Sequence, residues 1–165
     1  MGFNNSDGGS LIVEQPVYQT IMQATPEEVQ TFFPAVLGST SNPTAVVYTR
    51  QYGKYVVRGK WCQFVIDIVT SSITKPTALT DVIQISLPLK AANNGVQSRF
   101  SGVAYNSIPI QTANSVLLMP DTQFLSLQQY SLGSTVANLT FGLLTGIGAL
   151  TNNITFQASG HYEIA

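Results

Sequence analysis

The sequence predicts an all-β protein, an antiparallel β-sandwich behind an extended N-terminal arm, with at most one short helix. Three observations point there. Apolar and polar residues alternate along several short stretches, the period of a strand with one face on a core. These stretches recur at intervals of roughly 8–15 residues, punctuated by Gly, Pro and Asn, and no helical pattern separates them. Some connections are long, which favours Greek-key or jelly-roll winding over simple hairpins. The expected division is an arm over residues 1–31 and a sandwich domain over residues 32–165.

Taken in order, residues 1–10 are rich in Gly, Asn and Ser and carry no signal-peptide pattern. Met1 to Ser6 matches the short myristoylation template, but the segment reads as a flexible arm. Leu11, Ile12 and Val13 form a small apolar patch, with Tyr18 and Ile21 beyond Pro16. Thr25-Pro26-Glu27-Glu28 is the single helix-start signal, and Phe33-Pro34 limits that helix to a turn or two. The first 45 residues hold four acids and no base. Such a leader reads either as an attachment segment or as a solvated tail.

Gly38 to Pro43 is a loop by its turn residues. Tyr48–Val69 is the best-specified stretch: aromatic at its start, expected to turn near Gly53 and again at Gly59, then alternating. Cys62, Phe64, Ile66 and Ile68 fall on its inward side, and Gln63 and Asp67 on the other. Thr70–Thr80 reads as a long polar connection. In Asp81–Leu87, Ile83, Ile85 and Leu87 point inward, while Val82, Gln84 and Ser86 point outward. Asn94-Gly95 is a turn signal. Arg99–Tyr105 is a weaker strand broken at Gly102, and Pro109 marks Ser107–Ile110 as edge or loop. Ser115–Met119, Phe124–Tyr130, Thr135–Leu143 and Ile154–Ile164 complete the series, the last with an expected bulge at Gly160. Asn152-Asn153 reads as a turn, and Thr145–Ala149 as a small-residue loop.

Composition narrows the function classes. Charged residues make up 9% of the 165 residues, against ~25% in typical domains. Weak long-range repulsion tolerates dense packing against copies or partners. A net charge of −1 offers no electrostatic footprint for nucleic acid. No apolar run approaches the ~20 residues of a membrane-spanning helix. The lone cysteine, Cys62, rules out an internal disulfide and reads as a buried structural thiol. His161, the lone histidine, is expected to point outward, and no zinc ligand set or metal site is visible. The acids are scattered, apart from Glu27-Glu28, so no catalytic pair is proposed beyond a spatial convergence such as Asp67 with Asp81. No cofactor motif is present.

Arg50, Tyr52, Lys54, Tyr55, Arg58 and Trp61 form the one candidate patch. Aromatics interleaved with bases can stack on sugars or nucleic-acid bases. They can equally fill a core or a subunit interface.

The chain also resembles the compact β-modules of tailed-bacteriophage virion proteins. The residues that carry this are Phe33-Pro34, Gly38-Ser39-Thr40, the run Tyr48-Thr49-Arg50-Gln51-Tyr52-Gly53-Lys54-Tyr55, then Gly59 and its alternating strand. Asp81 to Pro88 resembles the family's strand ending in Leu-Pro, although Leu89 stands where Phe is usual. Ser159-Gly160-His161-Tyr162 resembles its final strand. The resemblance spans residues 32–165 and leaves out Leu11–Gln30. It implies a jelly-roll module, usually trimeric, serving as a capsid decoration (cement) protein or as the tip of a tail fibre or spike. With no heptad or fibrous repeat for a shaft, an arm plus one module suits a homotrimeric cement protein on the capsid surface of the virion. Such a protein binds the major capsid protein through its arm and is not an enzyme. Host-surface glycan is the expected ligand only under the tail-tip alternative.

Overall fold

In the computed structural model, the structure is described for residues 28–101, 104–106, 114–130, 136–142 and 154–165. These residues form β1 (Gln30–Phe32), β2 (Val36–Gly38), β3 (Ala45–Arg58), β4 (Trp61–Thr74), β5 (Ile83–Ser86) and β6 (Ser98–Ser101). They continue with β7 (Ala104–Asn106), β8 (Asn114–Leu118), β9 (Phe124–Tyr130), β10 (Val136–Asn138) and β11 (Thr155–Glu163). Two antiparallel sheets pack as a β-sandwich. One sheet has the order β1-β3-β4-β11-β7, and the other β2-β5-β9-β8-β6, with β10 alongside β9. The chain passes back and forth between the sheets.

The alternation in β4 holds. Cys62, Phe64, Ile66 and Ile68 are each at most 1% exposed, whereas Trp61 and Val65 are about half exposed. Ile83, Ile85 and Leu87 bury from the opposite sheet, with Val116, Leu118, Leu125 and Leu127 beside them. Phe156 and Tyr162 complete the inner layer from β11. Each fully buried side chain of this size contributes roughly 1.5–3 kcal/mol by leaving water. Burial also pushes the Cys62 thiol and the Tyr162 phenol upward in pKa, which keeps both protonated and the thiol inert. The Tyr162 hydroxyl donates to the Leu89 carbonyl at 2.8 Å.

The hairpin turn at Gly59 forms as expected, with Gly59 at φ +59°, where a Cβ would be strained. Gly53 does not turn. It lies inside β3, and an added Cβ would sit 2.3 Å from the Phe32 ring, so the glycine is a slot for that ring. Phe32 reaches it because residues 30–32 pair with Tyr55, Lys54 and Gly53. Glu28 and Val29 are therefore followed by a strand, not a helix, because sheet pairing outweighs the local capping signal. The strand also takes in residues 30 and 31, which the sequence assigned to the arm.

Two further expectations change. Thr70–Thr74 is not a connection but the end of β4, and its polar residues face solvent or bond backbone. The register of β3 against β4 slips around Tyr48, leaving Thr49 and Ser71 without opposite partners. The Thr49 hydroxyl donates to the Val69 carbonyl and that of Ser71 to the Val47 carbonyl. One extra residue on each strand shifts both alternations together, so Val46, Tyr48 and Ile73 still reach the core. Tyr48 accepts the Val36 N–H at 2.9 Å and ties the two sheets together.

Gly160, by contrast, makes no bulge, and β11 pairs with β4 in unbroken register from Thr155 to Glu163. Its role is space. An added Cβ would lie 2.4 Å from the Phe100 ring, which packs edge-on to Phe64 at 5.4 Å. The weak strand around Gly102 is two strands: β6 joins one sheet and β7 the other. Gln84 was expected to face outward but is only 7% exposed, and its Nε2 donates to the Ser126 hydroxyl at 3.3 Å. The expected loops at 107–110, 145–149 and 152–153 lie outside the described residues.

Candidate functional site

The candidate patch sits on the outer face of the β3–β4–β11 layer. From Trp61 to Val69 the odd-numbered residues of β4 point outward, and the register places the matching residues of its neighbours beside them. Tyr52 lies opposite Asp67, and Asp67 lies opposite Gln157. The next row is Lys54, Val65 and Ser159, and the row on the other side is Arg50, Val69 and Thr155. Near the hairpin turn, Arg58 stands opposite Trp61, and Trp61 opposite Glu163.

This geometry splits the patch. Arg50, Tyr52 and Lys54 form one end, and Arg58 with Trp61 the other. The rows of Asp67 and Trp61 are about 20 Å apart along β4 at the usual rise per residue. Tyr55 leaves the patch altogether. It lies on the inner side of β3, half-buried, edge-on to Phe32 at 5.9 Å, and its hydroxyl donates to the Gln30 side chain. Spacing of one residue from Lys54 put it on the opposite face, as alternation requires. The arm residues Leu11, Ile12, Val13, Tyr18 and Ile21 lie outside the described residues.

At the Tyr52 end, polar groups are held in place. Arg50 Nε meets Asp67 Oδ2 at 2.8 Å, and Gln157 Nε2 donates to Asp67 Oδ1 at 3.3 Å. Lys54 Nζ stands 5.5 Å from the centre of the Tyr52 ring, a cation–π contact. An open trough of about 280 Å³ runs between β4 and β11, lined by Val65, Ile66, Asp67, Gln157, Ala158 and Ser159. At the other end, His161 is exposed as expected and packs edge-on to Trp61 at 5.8 Å. Glu163 accepts from Asn94 Nδ2 at 2.9 Å.

Asp67 and Asp81 do not share partners. Asp81 is 4% exposed and lies just ahead of β5. Its carboxylate accepts the Ser41 hydroxyl at 2.5 Å, the Ser41 N–H at 2.8 Å, the Thr40 hydroxyl and, at 3.4 Å, the Ser39 hydroxyl. These bonds, Ser41's first and Thr40's next, hold its pKa below the usual carboxylate value. The cluster closes the 39–41 loop onto the second sheet. No group of three or more His, Cys, Asp or Glu able to hold a metal occurs among the described residues.

Sequence reasoning missed Gln157 and Ser159. Both alternate outward with the inward Phe156 and Ala158, which was legible, but their places opposite Asp67 and Val65 depend on pairing two strands that are far apart in the chain. Comparison with protein-family models, with curated proteins and with solved structures finds no match for this chain.

Proposed function

We propose that the chain is a structural protein of a tailed-bacteriophage virion, a homotrimeric decoration protein that cements the assembled capsid. One structural observation supports this. β1 is an edge strand, and Gln30 at its start, with Glu28 and Val29 before it, is exposed at the rim of the body. That placement suits an arm laid across a neighbouring major capsid protein while the sandwich keeps its own fold. The residues for that contact are Leu11, Ile12, Val13, Tyr18 and Ile21. A protein that binds only the assembled lattice stabilises it by mass action. No substrate is transformed, and no cofactor is required.

The test removes residues 1–25. The shortened chain is expected to remain a folded trimer by sedimentation and to lose its place on capsids. Capsid occupancy equal to that of the full chain would overturn the reading.

A second reading is favoured by a different observation. Tyr52 and Trp61 are 41% and 52% exposed on one face, as platforms for host-surface glycan would be in a tail-fibre or spike tip. It predicts that the isolated protein binds host cells and that Tyr52→Ala weakens that binding.

A further inference from the structure

The trough beside Tyr52 has a chemistry of its own. The row Tyr52, Asp67, Gln157 brings a ring, a carboxylate and a carboxamide side by side across three strands, at the ~4.5–5.5 Å spacing of directly opposed residues. Val65 supplies an apolar wall and Ser159 a hydroxyl in the next row. A pyranose ring needs this combination: an apolar surface for its C–H face, and planar donors and acceptors for its hydroxyls. The polar members are also held in position. Arg50 and Gln157 engage one carboxylate oxygen each, so Asp67 is oriented before any ligand arrives.

Charge refines the ligand. The Arg50–Asp67 contact is made through Nε, and a guanidinium carries further N–H donors. Lys54 adds a second cation in the adjoining row. Two cations and one carboxylate share the patch, which leaves it net positive. We propose that the outer-face trough between β4 and β11 binds a carboxylated pyranoside, a hexuronic acid unit of an acidic glycan, with Tyr52, Asp67, Gln157 and Ser159 as contacts and Arg50 and Lys54 as counter-charges. The proposal deepens the glycan reading above and rests on it. It assigns the subsite to the Tyr52 end of the face, not to the Trp61 end.

The full-length protein, labelled with nitrogen-15, is titrated with methyl β-D-glucuronide and, separately, methyl β-D-glucoside. The expected result is saturable amide shifts at Val65, Asp67, Gln157 and Ser159, with dissociation constants on the order of millimolar for a single sugar. At low salt the glucuronide is expected to bind roughly two- to five-fold more tightly than the glucoside, and added salt erodes the difference. Lys54→Ala reduces that preference, and Gln157→Ala weakens both sugars about five- to ten-fold, in each case with an otherwise unchanged spectrum. Shifts confined to Trp61 and His161 would overturn this subsite and leave the glycan reading standing. An absence of shifts with both sugars would overturn the two together. Equal affinity for the two sugars defeats the acidic assignment. Trough shifts that follow protein dilution rather than added sugar would mark the face as a contact between copies.

Discussion

The two faces of the β3–β4–β11 layer are made by the same residues in alternation, yet they do different work. On the inner face Phe64 meets Phe100 and Tyr162, edge to face. One residue away, Val65 is 49% exposed and borders an open trough. Packing energy is concentrated on one side because dispersion and dehydration act only where atoms are enclosed. On the glycan proposal, stability and recognition are separated within one strand at a period of two.

That contrast can be broken at several points. Phe64→Ala empties the centre of the inner face and is expected to cost ~3–5 kcal/mol, measured by urea denaturation. A cost near that of a surface substitution would mean that the inner face is not the core. Gly160→Ala tests the same face from the other direction. The added methyl collides with Phe100 and is expected to cost ~1–3 kcal/mol through overpacking, while pairing to β4 persists. Pairing the change with Phe100→Ala should recover part of the loss, and failure to recover it would argue for a backbone role instead.

Asp81 offers a milder test away from the layer. Its pKa is depressed in the folded protein, so its contribution is fully present above the ordinary carboxylate pKa of about 3.9 and is lost as pH falls through the lower folded value. Asp81→Asn is expected to lower the melting temperature by several degrees at neutral pH and to flatten the dependence on pH in the acid range. A parallel pH profile for the two proteins would refute the assignment. The smallest effect belongs to the outer face. Tyr52→Ala should change stability by no more than about 0.5 kcal/mol, and a larger loss would show that the outer face also carries folding energy.

Several elements were readable from the chain because their causes are local. The inward residues of β4, β5 and β11 follow from alternation, and Gly59 from its turn. All but one of the errors named here share a cause in contacts made at long range. Gly53 and Gly160 looked like turn and bulge signals, but each is a space left for an aromatic ring from a distant strand, Phe32 in one case and Phe100 in the other. The helix signal at Thr25–Glu28 ran into β1 because residues 30–32 found an edge on β3. Tyr55 was grouped with Tyr52 by proximity in the chain, although alternation separates them.

The order of residues by itself therefore determined a β-sandwich with a low-charge surface, a buried lone thiol, and the inward side of β5, of β11 and of β4 as far as Ile68. Those properties depend on composition and on the side-chain period. Only the tertiary structure decided which strands are neighbours, and with that the Tyr52–Asp67–Gln157 row, the separation of Trp61 from Tyr52, and the clasp of residues 39–41 on Asp81. Alternation states which way a side chain points, but register between strands far apart in the chain is chosen by the packing of the whole core.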